Sequence, residues 1–210
     1  MYSTLQQIVL MVVPVLGAVT VHEFAHGWVA NRLGDPTPRF SGRLTLNPLK
    51  HLDPIGTLVF FLTRTIGWAR PVPINPFNFR DPRRGMTLVA LAGPASNVLL
   101  AALCALAYRI LISFGPTGGL PGVLLPLGFM LRIGVVVNLG LALFNLIPVP
   151  PLDGSRILMG LLPRRKALAF ARIEPYGFLI LLMLIFGGVI RVVLYPAIKA
   201  GVNLLLGHPL

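Results

Sequence analysis

Negative charge is scarce in this chain: six Asp and Glu stand against 18 Lys and Arg, a formal net charge of +12. Charged residues of both signs make up only 11% of the 210 positions, whereas 55% are hydrophobic and the mean hydropathy is +0.81. The apolar runs are too long for a soluble core, which excludes a soluble globular protein and points to the membrane. The single cysteine, Cys104, excludes an internal disulfide, and its apolar surroundings suit a small buried hydrophobe. There is no internal repeat and no low-complexity segment. The N-terminus has no basic region, and its apolar stretch runs past any small-residue cleavage site into His22, Glu23 and His26, so it reads as a spanning segment rather than a cleaved signal peptide. So little chain lies outside the apolar runs that residues 1–210 are expected to form a single membrane domain without a separate soluble module.

The excess of basic residues raises the question of nucleic acid. They lie mostly between the apolar runs, however, as in cytoplasmic loops facing anionic lipid, so the lipid bilayer and not nucleic acid is the expected partner. Helices are expected over 5–33, 85–114 and 123–147, with a broken apolar region over 176–206. Ala92-Gly93-Pro94 interrupts the second, and the last is divided by Arg191, Pro196 and Lys199 into a span to about Ile190 and then a tilted, broken or interfacial helix. Residues 34–84 form a basic loop region, expected on the cytoplasmic side, in which Arg39–Leu46 alternates like a surface strand and Ile55–Leu62 is too short to span, reading as re-entrant or interfacial. Gly115–Gly122 suits a short outside loop. The fold class is therefore an all-α polytopic membrane protein, with three core transmembrane helices, one or two C-terminal membrane helices and a small β or re-entrant region.

His22-Glu23-Phe24-Ala25-His26 fits H-E-x-x-H, in which imidazoles one helical turn apart can grip one zinc ion while the Glu faces its water. Each ionisable group in a membrane helix costs at least ~2.5 kcal/mol on insertion scales, so the pattern carries more weight here than in a soluble chain. Catalytic zinc takes a third protein ligand. Of the remaining acids, Asp35, Asp53 and Asp81 lie in the loop and Glu174 adjoins Arg172, leaving Asp153 as the one carboxylate at the end of a spanning helix. Pro148, Pro150 and Pro151 stop that helix, and Gly154 permits the close approach that would let an unwound segment bring Asp153 to the metal.

His22–His26, Ala92-Gly93-Pro94-Ala95-Ser96-Asn97 and Phe144–Gly154 together resemble, in the right order, the three signatures of the site-2 protease family of intramembrane zinc metallopeptidases, in a minimal form without a peptide-binding insert. The resemblance implies His22 and His26 on the first core helix, Asp153 at the end of the third, one Zn2+ per chain and Glu23 as the catalytic base. It also aligns Asn145 and Asn97 with family asparagines; a buried amide can donate to the oxyanion or bind the substrate backbone, a role assigned to Asn145 first and Asn97 second, with interhelical hydrogen bonding as the alternative. Asn47–Gly56 resembles a family loop that could border the site or receive an extended substrate strand, and His51 within it reads as a satisfied loop histidine rather than a fourth ligand. His208 looks like an end residue. The implied substrate is a membrane protein or membrane-associated peptide. A membrane metal-ion transporter and a non-catalytic, metal-stabilised scaffold are the rival readings, and cobalt or iron would fit the same ligands.

Overall fold

Five times in this chain an Asp or Asn precedes a proline at the start of a helical turn: Asp35-Pro36, Asn47-Pro48, Asp53-Pro54, Asn75-Pro76 and Asp81-Pro82. In each step the side-chain oxygen accepts a backbone N–H two or three residues on, from Thr37, Leu49, Gly56, Phe77, and both Arg83 and Arg84. Proline fixes φ near the helical value where its missing N–H would be unpaired anyway, so each pair starts a turn and caps it. These steps account for the loop carboxylates Asp35, Asp53 and Asp81.

The computed structural model describes residues 4–63, 68–113 and 124–207. Its helices are α1 (Thr4–Arg32), α2 (Thr37–Phe40), α3 (Pro54–Thr63), α4 (Pro82–Ser113), α5 (Leu125–Asn145), α6 (Asp153–Leu161), α7 (Arg164–Ala171), α8 (Gly177–Phe186) and α9 (Val189–Leu206), with single 3-10 turns at Pro48–Lys50, Pro76–Asn78 and Glu174–Tyr176. Five helical stretches among the described residues are long and apolar enough to cross a membrane: Leu10–Arg32, Pro82–Ser113, Leu125–Asn145, Arg164–Phe186 and Val189–Leu206. The protein is an all-α multi-pass membrane protein. The expected loop Gly115–Gly122 and His208 lie outside the described residues.

α1, α4 and α5 pack mutually, α6 closes on α4, and α9 lies against α5. Small residues permit this, because hydrocarbon tails are as apolar as Leu and close backbone approach must supply the attraction. Ala101 and Ala105, one turn apart on α4, are buried against Val135 and Leu139 of α5 and Val202 and Leu206 of α9, while a β-carbon on Gly134 would meet Cys104 Sγ at 3.0 Å. Leu99, Leu103, Leu106 and Ile110 of α4 are exposed, as side chains facing lipid should be.

Three expectations need correction. Residues 39–46 form no strand: the Asp35-Pro36 step starts α2 instead, and Gly42, at φ 66°, ends that turn with Arg43 N–H donating to Pro38 O at 2.9 Å. The β content of the described residues is an isolated bridge between Leu52 and Ala69. α4 runs through Gly93-Pro94 without a break, and α9 runs through Pro196; the C-terminal break falls at Gly187-Gly188, where Gly188 is left-handed at φ 73°. A membrane helix tolerates an internal proline when neighbouring groups re-satisfy the freed carbonyl, whereas a left-handed residue turns the chain itself. The short apolar run after Asp53 is the ten-residue helix α3.

Candidate metal centre

One face of α4 builds the site around the histidines of α1. Val89, Gly93 and Asn97 are spaced four apart, as are His22 and His26, and the helices meet so that His26 lies by Val89 and His22 by Asn97. His26 Nδ1 donates to Val89 O at 2.7 Å, and His22 Nδ1 donates to Asn97 Oδ1 at 2.5 Å. Between these two contacts sits Gly93, where a β-carbon would lie 2.5 Å from His26 Cε1 and Nε2 and 2.6 Å from His22 Cε1. The glycine of the Gly93-Pro94-x-x-Asn97 pattern is therefore the space that both imidazoles occupy.

The orientation of Asn97 is fixed by its other partners. Its Nδ2 donates to Ala18 O at 3.1 Å and to Asn138 Oδ1 at 2.7 Å, and Asn138 Nδ2 donates in turn to Gly134 O at 2.8 Å. A backbone carbonyl can only accept, so the nitrogen of Asn97 faces Ala18 and its oxygen must face His22. Both histidines thus donate from Nδ1, and in the neutral imidazole this leaves the lone pair on Nε2. Asn97 and Asn138 are 0% and 1% exposed, so this network has no water to fall back on.

α5 ends at Asn145, and α6 begins at Asp153, whose carboxylate points back at the two imidazoles. Gly154 makes the approach feasible, because any side chain there would strike the carbonyls of Leu146 and Ile147. Asp153 Oδ2 lies 3.1 Å from His22 Nε2 and 3.2 Å from His26 Nε2, and the two Nε2 atoms are 3.0 Å apart. Three lone pairs thus face one another, and Asp153 Oδ2 is buried with no hydrogen-bond donor. Such an arrangement is repulsive unless a cation lies among the three atoms. Tetrahedral zinc with bonds of ~2.0 to 2.1 Å separates its ligand atoms by about 3.3 Å, so the triangle fits that ion to within a few tenths of an ångström. His22, His26 and Asp153 form a cluster suited to holding a metal.

Glu23 projects toward the loop region. Its Oε2 accepts the N–H of Val72 at 3.1 Å, and its charge acts on His26 on one side and Arg43 on the other. Val72 belongs to a strap, Pro71-Val72-Pro73, that crosses α1 one turn beyond Glu23: a β-carbon on Gly27 would meet Val72 Cγ1 at 3.4 Å. Asp35, fully buried at the end of α1, anchors the following turn by accepting from Asn75 N at 2.7 Å and Asn78 Nδ2 at 2.7 Å.

Asn145 is half-buried in the last turn of α5, with one amide hydrogen donated to Leu141 O of its own helix at 3.0 Å. His51 is buried in the loop with Nε2 on Thr45 O at 2.8 Å and is not part of the His22–His26–Asp153 cluster. Sequence reasoning passed over Asn138. Its signal was present: an amide inside an apolar span, seven residues before Asn145, is expensive there and calls for a partner.

The model of peptidase family M50 matches residues 122–188. The protein named "Putative zinc metalloprotease YwhC" of Bacillus subtilis is 39% identical over 201 residues, covering 96% of this chain and 91% of that one. "Putative zinc metalloprotease Rip2" of Mycolicibacterium smegmatis is 30% identical over 181 residues, 84% of this chain and 66% of the relative, and Rip2 of Mycobacterium tuberculosis H37Rv is 31% identical over 178 residues, 80% and 63%. No solved structure matches.

Proposed function

From the premise that the chain belongs to peptidase family M50, the site-2 protease family, and is an intramembrane zinc metalloprotease, we propose that His22, His26 and Asp153 hold one Zn2+ and that Glu23 is the general base. The observation that carries this assignment is the triangle of Nε2, Nε2 and Oδ2 lone pairs, with both Nδ1 protons already committed elsewhere.

When bound, zinc supplies a Lewis acid that brings a water toward ionisation near neutral pH and polarises the scissile carbonyl. Glu23 removes the proton of the attacking water on Oε1, since Oε2 is engaged by Val72 N–H, and returns it to the leaving amine. The hydrogen bond from the strap keeps the carboxylate in one orientation. Asn97 and Asn138 position His22 instead of touching substrate: both Nδ2 hydrogens of Asn97 are committed. Asn145 keeps an amide hydrogen with no recorded acceptor among the described residues, which supports its assignment as the donor to the oxyanion or to the substrate backbone. The substrate is a transmembrane segment or membrane-associated peptide, locally unwound so that its carbonyl is free. Arg32 at the end of α1, Arg83 and Arg84 at the start of α4 and Arg156, Arg164 and Arg165 after α5 support a site open toward the cytoplasm.

The test compares the detergent-purified wild type with Glu23→Gln and Asp153→Ala. Zinc near one per chain is expected in the wild type and in Glu23→Gln, with a sharp fall in Asp153→Ala. Cleavage of a transmembrane-segment peptide should drop at least ~10²-fold in Glu23→Gln. Sustained turnover by that variant overturns the assignment of the base, and unchanged zinc in Asp153→Ala overturns the ligand set.

A further inference from the structure

On the loop side of the strap lies a cavity of about 490 Å³, lined by Ser41, Arg43, Lys50, Arg70, Pro71 and Pro73 among others. Three of its lining residues are cations and none is an acid. Arg43 is 6% exposed, and its recorded hydrogen bond runs to the carbonyl oxygen of Lys50, which neutralises no charge. Burial and then the like charge of Arg70 press on the Arg43 guanidinium, and Glu23 is the carboxylate whose charge offsets them. A base that must cycle its proton cannot serve as a permanent counter-ion. A buried guanidinium that faces two exposed cations and makes no ion pair among the described residues is stabilised by an anion, and its fork fits a planar carboxylate in particular.

The place of this cavity relative to the base is set by Val72. Its N–H touches Glu23, while its neighbours Pro71 and Pro73 line the cavity. Successive Cα atoms are ~3.8 Å apart, so a peptide reaching from Glu23 past the strap covers about two or three residues. We propose that the cavity formed by Arg43, Lys50 and Arg70 is a specificity subsite for a carboxylate on the peptide substrate, an Asp or Glu side chain or a free C-terminus, a few residues from the scissile bond. This rests on the peptidase reading for its position and on the three cations lining the cavity for its chemistry. A lipid headgroup is the lesser fit, since the cavity adjoins the strap of the base instead of the lipid-facing sides of the spanning helices.

Binding can be read without turnover, using the Glu23→Gln protein in zwitterionic nanodiscs. The probes are fluorescein-labelled Ala/Leu peptides with an amidated C-terminus that carry one Glu at successive positions, each paired with a Gln twin, plus one peptide with a free C-terminus. At one register, or with the free C-terminus, the carboxylate should tighten binding about tenfold. Arg70 and Lys50 are exposed, so Arg70→Glu and Lys50→Glu should keep the zinc content while erasing that preference, and a Lys twin should then bind better than Glu. Arg43→Gln gives a third variant at the buried position. Equal binding of Glu and Gln peptides at every register, no binding by either, or a preference unchanged in Arg70→Glu and Lys50→Glu overturns the subsite. Abolition of the preference by phosphatidylglycerol vesicles overturns it in favour of a lipid headgroup. Zinc-dependent cleavage of the unlabelled peptides by the wild type is scored separately: Glu discrimination without cleavage refutes the peptidase reading and leaves the subsite standing.

Discussion

Replacing Gly93 with Ala adds one methyl group to a helix face that has no room for it. The new β-carbon would sit 2.5 Å from His26 and 2.6 Å from His22, whereas carbon contacts relax only at ~3.5 to 4.0 Å, so each ring must retreat by about 1 Å. Neither ring is free to do so. The acceptors that hold them, Val89 O and Asn97 Oδ1, are on the same helix as Gly93, so moving away from the methyl also stretches both hydrogen bonds. Metal sites tolerate ligand displacements of ~0.2 Å, and a 1 Å misplacement costs on the order of 10²-fold in rate. Gly93→Ala should therefore lose most of its zinc on dialysis and at least ~10²-fold of its peptidase activity. The sign is diagnostic, because Ala in a helix interior is favoured over Gly by up to ~1 kcal/mol and propensity alone would stabilise the protein. The assay is elemental analysis and peptide cleavage on detergent-purified protein, with helicity by circular dichroism as the control for folding. A helical, monodisperse Gly93→Ala protein with full zinc and activity within about threefold of wild type would refute the packing argument.

Asn97→Ala removes the acceptor that fixes the tautomer of His22 and leaves Ala18 O and Asn138 Oδ1 unpaired; zinc affinity, measured by competition with a chelator, should weaken by roughly 10- to 100-fold while Glu23 and the strap stay in place. Asp35→Asn puts an amide where four donors converge and should destabilise the 75–78 turn by ~1 to 3 kcal/mol, seen as faster hydrogen exchange in that turn and not in α4 or α5. Burial alone would raise the Asp35 carboxyl, but hydrogen bonds from Thr37, Asn78 and Asn75 outweigh it and hold it below the usual value. A lowered folded-state value means that the contribution is present above the unfolded pKa of ~3.9 and lost as pH falls through the folded one. Acidification below about pH 4 should therefore loosen the turn in the wild type and have little further effect in Asp35→Asn, and equal acid sensitivity in both would count against Asp35 as the anchor.

The spanning helices and the clustering of His22, His26 and Asp153 were legible because both depend on composition and spacing. Length and apolarity mark α4 and α5, one helical turn separates His22 from His26, and Asp153 stood out because acids are few. What could not be read is where geometry overrides pattern. Residues 39–46 alternate, but the cap at Asp35 commits the chain to a helical turn before a strand can start. Pro94 looks like an interruption, yet α4 carries it intact, since the loss of one backbone donor does not force the chain to turn. At Gly188 the determining quantity is a positive φ, which glycine permits without requiring, so the span was expected to run on to about Ile190, just before Arg191. The orientation of Asn97 was invisible for a different reason. A sequence shows that an amide is available, but only its partners decide whether it donates to substrate or holds a histidine.

The scarcity of acidic residues takes on a structural meaning once each is placed. Asp35, Asp53 and Asp81 are committed as caps of turns that open with proline, and each accepts at least one backbone N–H. A carboxylate so engaged is a poor competitor for a metal ion, because ligation would strip the turn of its cap at a cost of ~0.5 to 2 kcal/mol. Two loop positions, Asn47 and Asn75, do the same task with an amide and add no charge. Asp153 differs in having its Oδ2 buried with no donor, and so is the acid beside the two histidines with an oxygen to offer. With the loop carboxylates engaged as caps, the proposed metal site draws its acid from Asp153 alone among Asp35, Asp53, Asp81 and Asp153. It follows that removing the proline of a cap, as in Pro36→Gly or Pro82→Gly, should loosen the loop region without lowering zinc content. Substitutions of Gly93, Asn97 or Gly154 should lower zinc content with the loop region intact.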